Sequence, residues 1–173
     1  HDAIRETAQQ CGITKFHAIV AGGSTRQESV MCGLRALSKG TTMIAVHDGA
    51  RPLVKPEHIA QVIRDASVFG GATLGVPVKD TIKVVNDHLI VDTPYRPHLF
   101  ITQTPQVFKR QLYFEAVTFA EEHALDFTDD CQLIEAINCK VYMTEGDYTN
   151  IKITTPEDIA IAEILLARQK EEA

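Results

Sequence analysis

The sequence has 173 residues, of which 45% are hydrophobic and 23% charged, close to the average for a globular domain. Seventeen Lys and Arg against 23 Asp and Glu give a formal net charge of −6. With no basic run, nucleic-acid binding is not expected. No apolar stretch approaches the roughly 18 residues that span a bilayer, and no signal peptide is visible, so a cytoplasmic protein without a membrane segment is predicted. The four cysteines lack C-x-x-C spacing and are expected to be reduced and mostly buried.

In the first half of the chain, short apolar runs alternate with longer amphipathic stretches. The pattern predicts helices over residues 3–11, 29–37 and 56–69, and buried strands over residues 16–20, 43–46 and 72–78. Strands that alternate with helices favour an α/β fold with a largely parallel sheet.

The pattern changes after residue 78, because no helix separates the next two apolar runs. Asn86 and Asp87 lie between these runs and tolerate left-handed turns, so a hairpin is predicted, which forms an arm at about residues 81–97. Further strands are expected over residues 99–103, 140–144 and 151–153, and helices over residues 109–122, 129–137 and from 156 onward. No repeat or linker divides the chain, so residues 1–173 are expected to form one domain with one arm.

The first candidate site lies between Val20 and Ser29, where a predicted strand, two glycines and a helix start follow one another. Gly22 and Gly23 would let a ligand approach the backbone, and a helix N-terminus offers free N–H groups to an anion. Thr25 and Glu28 fit a capping box. No P-loop lysine follows, and an ordinary strand-to-helix turn is the alternative.

The second candidate is Asp48, which follows an apolar strand at its carboxyl end, where ligands bind in open α/β sheets. A single carboxylate there suits Mg²⁺, which usually takes one or two carboxylates together with substrate phosphates. Gly49 permits close approach, and Arg51 can make a bidentate contact with phosphate. The alternative is that Asp48 caps the next turn while Arg51 makes a surface ion pair.

Other polar groups follow the later strands or mark a helix start. They are Lys79, Asp80, Thr81 and Lys83 where the arm departs, Arg96 at its far foot, Thr128 beside a helix start, and Lys152. Lys152 stands between two isoleucines, so on a strand it points to the opposite face and needs a partner such as a phosphate. One magnesium-competent carboxylate, several cations and no nucleophile–base pair indicate phosphoryl or nucleotidyl transfer.

Six segments together resemble the 2-C-methyl-D-erythritol 4-phosphate cytidylyltransferase family, in that family's order. They are AGGSTRQESV (21–30), VHDGARP (46–52), VPVKDTIK (76–83), QTPQVF (103–108), TDD (128–130) and NIKITTPED (150–158). The resemblance implies a three-layer, Rossmann-like α/β fold with a mostly parallel sheet and a protruding β-arm. It also implies an enzyme of the non-mevalonate isoprenoid pathway, in which a phosphate oxygen of methylerythritol phosphate attacks the α-phosphorus of CTP and pyrophosphate leaves.

The same resemblance implies a role for each candidate residue. Nucleotide contacts fall to Gly22, Gly23, Ser29, Asp48 and Gly49, Mg²⁺ binding to Asp48, contacts with the polyol phosphate to Arg51, Thr81 and Thr128, and catalysis to Arg96 and Lys152. Arg96 and Lys152 would orient the attacking phosphate. In this family the arm embraces a second subunit, so Arg96 and Thr128 would reach the partner's site in a homodimer.

The sequence departs from this family at its start. The family begins with a strand and a Gly-rich loop that carries an Arg and a Lys for the triphosphate, whereas this sequence starts at His1, in a later helix. The chain is therefore expected to be truncated, inactive alone, and to expose an unpaired sheet edge. Ser24 also stands where the family often has Asp. Two alternatives stay open: a ribitol-5-phosphate cytidylyltransferase, which residues 93–100 resemble slightly, and a non-catalytic nucleotide-binding or dimerisation module.

Overall fold

The computed structural model describes residues 2–172. Their contacts divide them into two compact units. The first comprises the residues up to Thr41 together with Asp126–Thr128, and the second comprises Thr42–Leu125 together with the residues from Asp129 onward. The expectation of a single domain with one arm stays a prediction.

The first unit contains helix α1 (Asp2–Gln10) and helix α2 (Arg26–Arg35). The predicted capping box forms, since Glu28 N–H donates to the Thr25 hydroxyl at 3.1 Å, and it starts α2 three residues before the predicted position. The predicted strand over residues 16–20 is wrong: these residues are irregular and largely exposed. An apolar run becomes a strand only beside a hydrogen-bonded neighbour, and the described residues provide none for it.

The second unit contains all six described strands. They are β1 (Met43–Val46), β2 (Gly71–Pro77), β3 (Val84–Asn86), β4 (Leu89–Asp92), β5 (Phe100–Lys109) and β6 (Tyr142–Glu145). Four of them form a sheet in the order β1-β5-β2-β6, so β1 and β6 are its edges within the described residues. Strands β1, β2 and β6 share one direction, while β5 runs antiparallel between β1 and β2.

The prediction of a mostly parallel sheet is therefore only partly right. Strand β5 returns directly from the arm, without the helical crossover that a parallel neighbour requires, so it enters the sheet in the opposite direction. The sheet is consequently mixed, with β2 and β6 as its one parallel pair among the described strands.

Four helices accompany this sheet. They are α3 (Pro56–Phe69), α4 (Arg110–Glu122), α5 (Asp130–Ala136) and α6 (Pro156–Glu172). Of these, α3 and α4 pack on its strands. Neighbouring residues Val107 and Phe108 of β5 are fully buried and face opposite ways. Val107 joins a cluster with Val62 and Ala66 of α3, whereas Phe108 stacks on Tyr113 of α4 with ring centres 5.2 Å apart. This unit therefore has the predicted three layers, helix–sheet–helix.

The predicted hairpin is formed by β3 and β4, which pair with each other as a separate two-stranded sheet. Its turn lies one residue later than predicted, because Asp87 and His88 are the residues between the two strands, with positive φ of 46° and 64°. We call residues 78–99 the arm. Its base is closed by Val78 N–H donating to the Leu99 carbonyl at 3.0 Å. Every residue from 79 to 93 is exposed.

The cysteines are free, but the expectation that most are buried is wrong. Cys131 of α5 is buried, and the other three, at positions 11, 32 and 139, are exposed or half-buried. Burial raises the pKa of the Cys131 thiol, which keeps it protonated. Within residues 2–172, no helix is both long enough and apolar enough to cross a membrane.

Candidate active site

The candidate site lies at the carboxyl-terminal ends of β1, β2 and β6. These ends lie on the same side of the sheet, because the three strands share a direction. Asp48 follows β1, Lys79 follows β2, and Lys152 follows β6 after an irregular segment. Ligands of open α/β sheets bind outside the carboxyl ends of the strands. The fold thus gathers residues that are up to 104 positions apart, from Asp48 to Lys152, on that side.

Two cations contact the carboxylate of Asp48. Arg51 Nε donates to Asp48 Oδ2 at 3.2 Å, and Lys152 Nζ lies 3.2 Å from the same oxygen. The side chains are unequally covered: Arg51 is 12% exposed, Asp48 21% and Lys152 48%. We call these three residues the Asp48 cluster. Arg51 makes the ion pair that the alternative interpretation expected, and Lys152 finds a carboxylate as its partner, while the roles of all three residues toward a ligand stay predictions.

Two opposing effects set the charge of Asp48. Partial burial works to raise the pKa of its carboxyl group, but the hydrogen bonds and positive charges of Lys152 and Arg51 outweigh that effect, so the pKa lies below its usual value. Asp48 is therefore ionised at neutral pH. Within residues 2–172 both cations contact Oδ2, which leaves Oδ1 for another ligand.

The irregular segment 146–153, between β6 and α6, brings Lys152 to the cluster. Arg51 Nη1 donates to the Asn150 carbonyl at 2.7 Å, and Ile153 N–H donates to the Ala50 carbonyl at 2.8 Å. The predicted strand over residues 151–153 is wrong, because these isolated bonds replace a regular ladder. The alternation that motivated it persists in exposure, since Lys152 is exposed while the isoleucines on either side are half-buried.

A bulge in β5 contacts the backbone of Asp48. Thr73 of β2 pairs with Gln106 and Gly75 pairs with Thr102, so residues 103–105 face one residue of β2. From the bulge, the Thr104 hydroxyl accepts the Asp48 N–H at 3.0 Å.

Residues 103–105 also hold the 146–153 segment. Asn150, which is 1% exposed, donates through Nδ2 to the Thr104 carbonyl at 3.0 Å. Gln103 Nε2 donates to the Asp147 carbonyl at 2.8 Å. Sequence reasoning assigned Gln103, Thr104 and Asn150 no role, although all three lie in segments that carry the family resemblance.

The predicted nucleotide residues of the first unit lie in a tightly closed turn. The Ser29 hydroxyl accepts the Gly23 N–H at 3.1 Å and donates to the Thr25 carbonyl at 2.9 Å. A Cβ on Gly22 would lie 2.7 Å from the Ser29 hydroxyl, and one on Gly23 would lie 2.2 Å from Glu28 Cβ. Gly23 is thus required by the turn itself, whereas a Cβ on Gly22 would displace only the Ser29 hydroxyl, and the contacts of both glycines with a nucleotide stay a prediction.

The remaining candidates lie elsewhere in the structure. Thr81 is exposed in the arm, and Arg96, at its far foot, donates through Nη1 to the Lys79 carbonyl at 3.0 Å. Within residues 2–172 neither contacts Asp48 or Lys152. Thr128 is exposed and precedes Asp129, the N-cap of α5. A Cβ on Gly49 would meet nothing within 4 Å, so the space beside Asp48 is open.

Comparison with known proteins identifies the relatives of this chain. A model of the 2-C-methyl-D-erythritol 4-phosphate cytidylyltransferase family matches residues 2–168. The proteins of that name from Caldanaerobacter subterraneus subsp. tengcongensis and Desulforamulus reducens are 46% and 47% identical to it, over 169 and 156 residues. These alignments cover 94% and 90% of this chain, and 74% and 67% of the relatives.

Solved structures agree with this result. The 4-diphosphocytidyl-2C-methyl-D-erythritol synthase of Anaerococcus prevotii superposes with a TM-score of 0.86 at 31% identity, covering 96% of this chain and 74% of that one. The 2-C-methyl-D-erythritol 4-phosphate cytidylyltransferase of Thermus thermophilus gives a TM-score of 0.77 at 37% identity, covering 84% and 71%.

Proposed function

Because the chain belongs to the 2-C-methyl-D-erythritol 4-phosphate cytidylyltransferase family, we propose that it transfers a cytidylyl group from CTP to 2-C-methyl-D-erythritol 4-phosphate and releases pyrophosphate, in the non-mevalonate route to isoprenoids. The observation that carries the proposal for this chain is the Asp48 cluster, in which one ionised carboxylate lies between two cations at the ligand-binding edge of the sheet. Such a site suits two phosphorylated substrates and a divalent metal.

In the proposed reaction, a phosphate oxygen of the polyol phosphate forms a bond to the α-phosphorus of CTP. The bond from that phosphorus to the bridging oxygen breaks, and pyrophosphate leaves with the electron pair. Both reactants are anions, so their approach requires fixed positive charge. Lys152, which is half exposed, can turn from Asp48 toward the incoming phosphate, while Arg51 stays anchored to Asn150 and presents the rest of its guanidinium. Their contribution is positioning and charge neutralisation.

Asp48 is the residue that we propose as the magnesium ligand. Its carboxylate is ionised, partly exposed and contacted through one oxygen, which fits a hard cation that prefers oxygen ligands. Within residues 2–172 no group of three His, Cys, Asp or Glu side chains is placed to hold a metal alone, so phosphate oxygens would complete the shell. Mg²⁺ would stabilise the negative charge that develops on the leaving pyrophosphate.

We further propose a cytoplasmic homodimer that is built through the arm. The arm exposes a series of large apolar side chains that a soluble surface rarely leaves uncovered. They are Val84 (44%), Val85 (55%), Leu89 (70%), Ile90 (64%) and Val91 (58%). A second subunit that covers these side chains would have Arg96 near its own active site, where Arg96 would act in catalysis. Thr81 and Thr128 would contact the polyol phosphate. Four free cysteines suit a reducing compartment.

The release of pyrophosphate from CTP in the presence of Mg²⁺ tests the proposal. The protein is assayed in parallel with methylerythritol phosphate and with ribitol 5-phosphate. We expect release with methylerythritol phosphate. Release only with ribitol 5-phosphate would assign the second polyol phosphate instead. Binding of Mg·CTP without turnover on either acceptor would support the non-catalytic module.

A further inference from the structure

Tyr148, in the 146–153 segment, makes two contacts at the point where β2 continues into the arm. Its hydroxyl donates to the carbonyl of Pro77, the last residue of β2, at 2.7 Å, and the ammonium of Lys79 in the arm lies 3.5 Å from the centre of its ring. The second distance is well inside the range of a cation–π interaction. These contacts give a structural role to Lys79, whose charge the proposed reaction does not use.

The exposure of the arm leaves its direction to the contacts at its base. Residues 79–93 are exposed throughout, so packing does not hold the hairpin against the sheet. Two hydrogen bonds close the base, from Val78 to Leu99 and from Arg96 to Lys79, but each joins one part of the arm to another. Tyr148 instead connects the base to a segment that follows β6.

The backbone that carries Tyr148 is held on both sides. The Asp147 carboxylate pairs with Lys55 Nζ at 2.9 Å and accepts the Thr149 N–H at 2.8 Å. On the other side Asn150 is fully buried against the β5 bulge. These contacts fix the backbone on either side of Tyr148. Four residues later, the same segment carries Lys152.

We propose that Tyr148 is a positioning residue, which sets the angle at which the arm leaves the sheet and thereby places Arg96 for the transfer reaction. Tyr148 acts on the base through Pro77 and Lys79, and Lys79 passes the constraint to Arg96 through its carbonyl. The catalytic part of this inference rests on the proposed function, while the mechanical part rests on the contacts alone. Neither requires Tyr148 to touch a substrate.

Three variants of the protein separate the contacts. Tyr148→Ala removes both, Tyr148→Phe removes only the hydroxyl bond, and Lys79→Met removes the charge above the ring at nearly constant length. Amide hydrogen exchange of residues 78–99 reports the mobility of the arm without any substrate. Steady-state kinetics with CTP and the polyol phosphate report its effect on catalysis, and the thermal unfolding midpoint checks that each variant folds.

For Tyr148→Ala we expect exchange at the base of the arm to rise about tenfold while residues 150–153 stay protected. We also expect kcat/KM for the polyol phosphate to fall by about 10- to 100-fold, because small displacements of an orienting group are costly. The KM for CTP should stay constant. Tyr148→Phe and Lys79→Met should each show a smaller part of both effects.

Unchanged exchange in the arm of a folded Tyr148→Ala protein would overturn the inference. So would increased exchange that includes residues 150–153, because Tyr148 would then act on the Lys152 segment. If the wild-type protein releases no pyrophosphate, the proposed function fails and the catalytic part falls with it, and the exchange comparison still decides whether Tyr148 restrains the arm.

Discussion

Replacing Asp48 with Asn tests the Asp48 cluster with an isosteric change that removes the negative charge and replaces one carboxylate oxygen with a donating NH2 group. Arg51 and Lys152 each lose a charged partner at 3.2 Å. A hydrogen bond to a charged group contributes about 1.5–3 kcal/mol, but the half-exposed Lys152 counts for at most about 1 kcal/mol. The asparagine oxygen still accepts one bond from Arg51. We therefore expect Asp48→Asn to lower the free energy of unfolding by about 1–2 kcal/mol.

The effect on activity should be much larger, because the same change removes the proposed magnesium ligand. We expect kcat/KM to fall by about 100- to 1000-fold and half-maximal activity to require more Mg²⁺. The assays are urea unfolding and pyrophosphate release over a range of Mg²⁺ concentrations. Asp147→Asn is the matched control, since Asp147 is similarly exposed (25% against 21%) and also paired. It should lose comparable stability without changing the dependence on Mg²⁺. An Asp48→Asn enzyme within threefold of wild type at ordinary Mg²⁺ would refute the assignment.

Three further predictions concern stability. The pKa of Asp147 is lowered to about 2 because the hydrogen bonds of the Thr149 backbone and Lys55 outweigh the opposing effect of burial. The ionised Asp147 carboxylate should therefore stabilise the folded protein by about 1–2 kcal/mol at pH values well above 4, and this contribution should disappear as pH falls toward 2. The difference in unfolding free energy between wild type and Asp147→Asn should shrink over that interval. Gly23→Ala should lower the free energy of unfolding in urea by about 1–3 kcal/mol, because the new Cβ would lie 2.2 Å from Glu28 Cβ. Gly49→Ala should change it by less than about 0.5 kcal/mol, because nothing lies within 4 Å of its Cβ. Equal losses in the two variants would contradict this reasoning. Tyr113→Phe removes the phenol that donates to the buried Asp130, and an unfolding free energy unchanged from wild type would contradict the expected loss of about 1–3 kcal/mol.

The Asp48 cluster was partly predictable because one half of it is local. Asp48 and Arg51 lie three residues apart, directly after an apolar strand, and a turn of that length brings their side chains together. Lys152 was predictable only as a cation that needs a partner. Its actual neighbour depends on two bonds to the segment beside Asp48: Arg51 donates to the Asn150 carbonyl, and Ile153 N–H donates to the Ala50 carbonyl. No periodicity or spacing encodes those bonds.

The failed strand predictions have a common cause. Residues 16–20 and 151–153 have the apolar character of strands, but a strand requires a hydrogen-bonded neighbour that the local sequence does not specify. The antiparallel direction of β5 was missed for a related reason. Alternating strands and helices suggest parallel pairing, whereas the arm replaces one helical crossover and reverses the strand that follows it.

By itself, the sequence determined the features that depend on neighbouring residues. These include the capping box of Thr25 and Glu28, the hairpin turn, the start of α6 at Pro156, and the acidic residue at the end of β1. Only the tertiary structure decided which segments meet: the bulge beneath Asp48, the contact of Lys152 with Asp48 across the sheet edge, and the placement of Tyr148 under the arm. The reason is physical. Caps and turns are stabilised within a few residues, whereas these contacts exist only once strand order and strand direction have brought distant segments together.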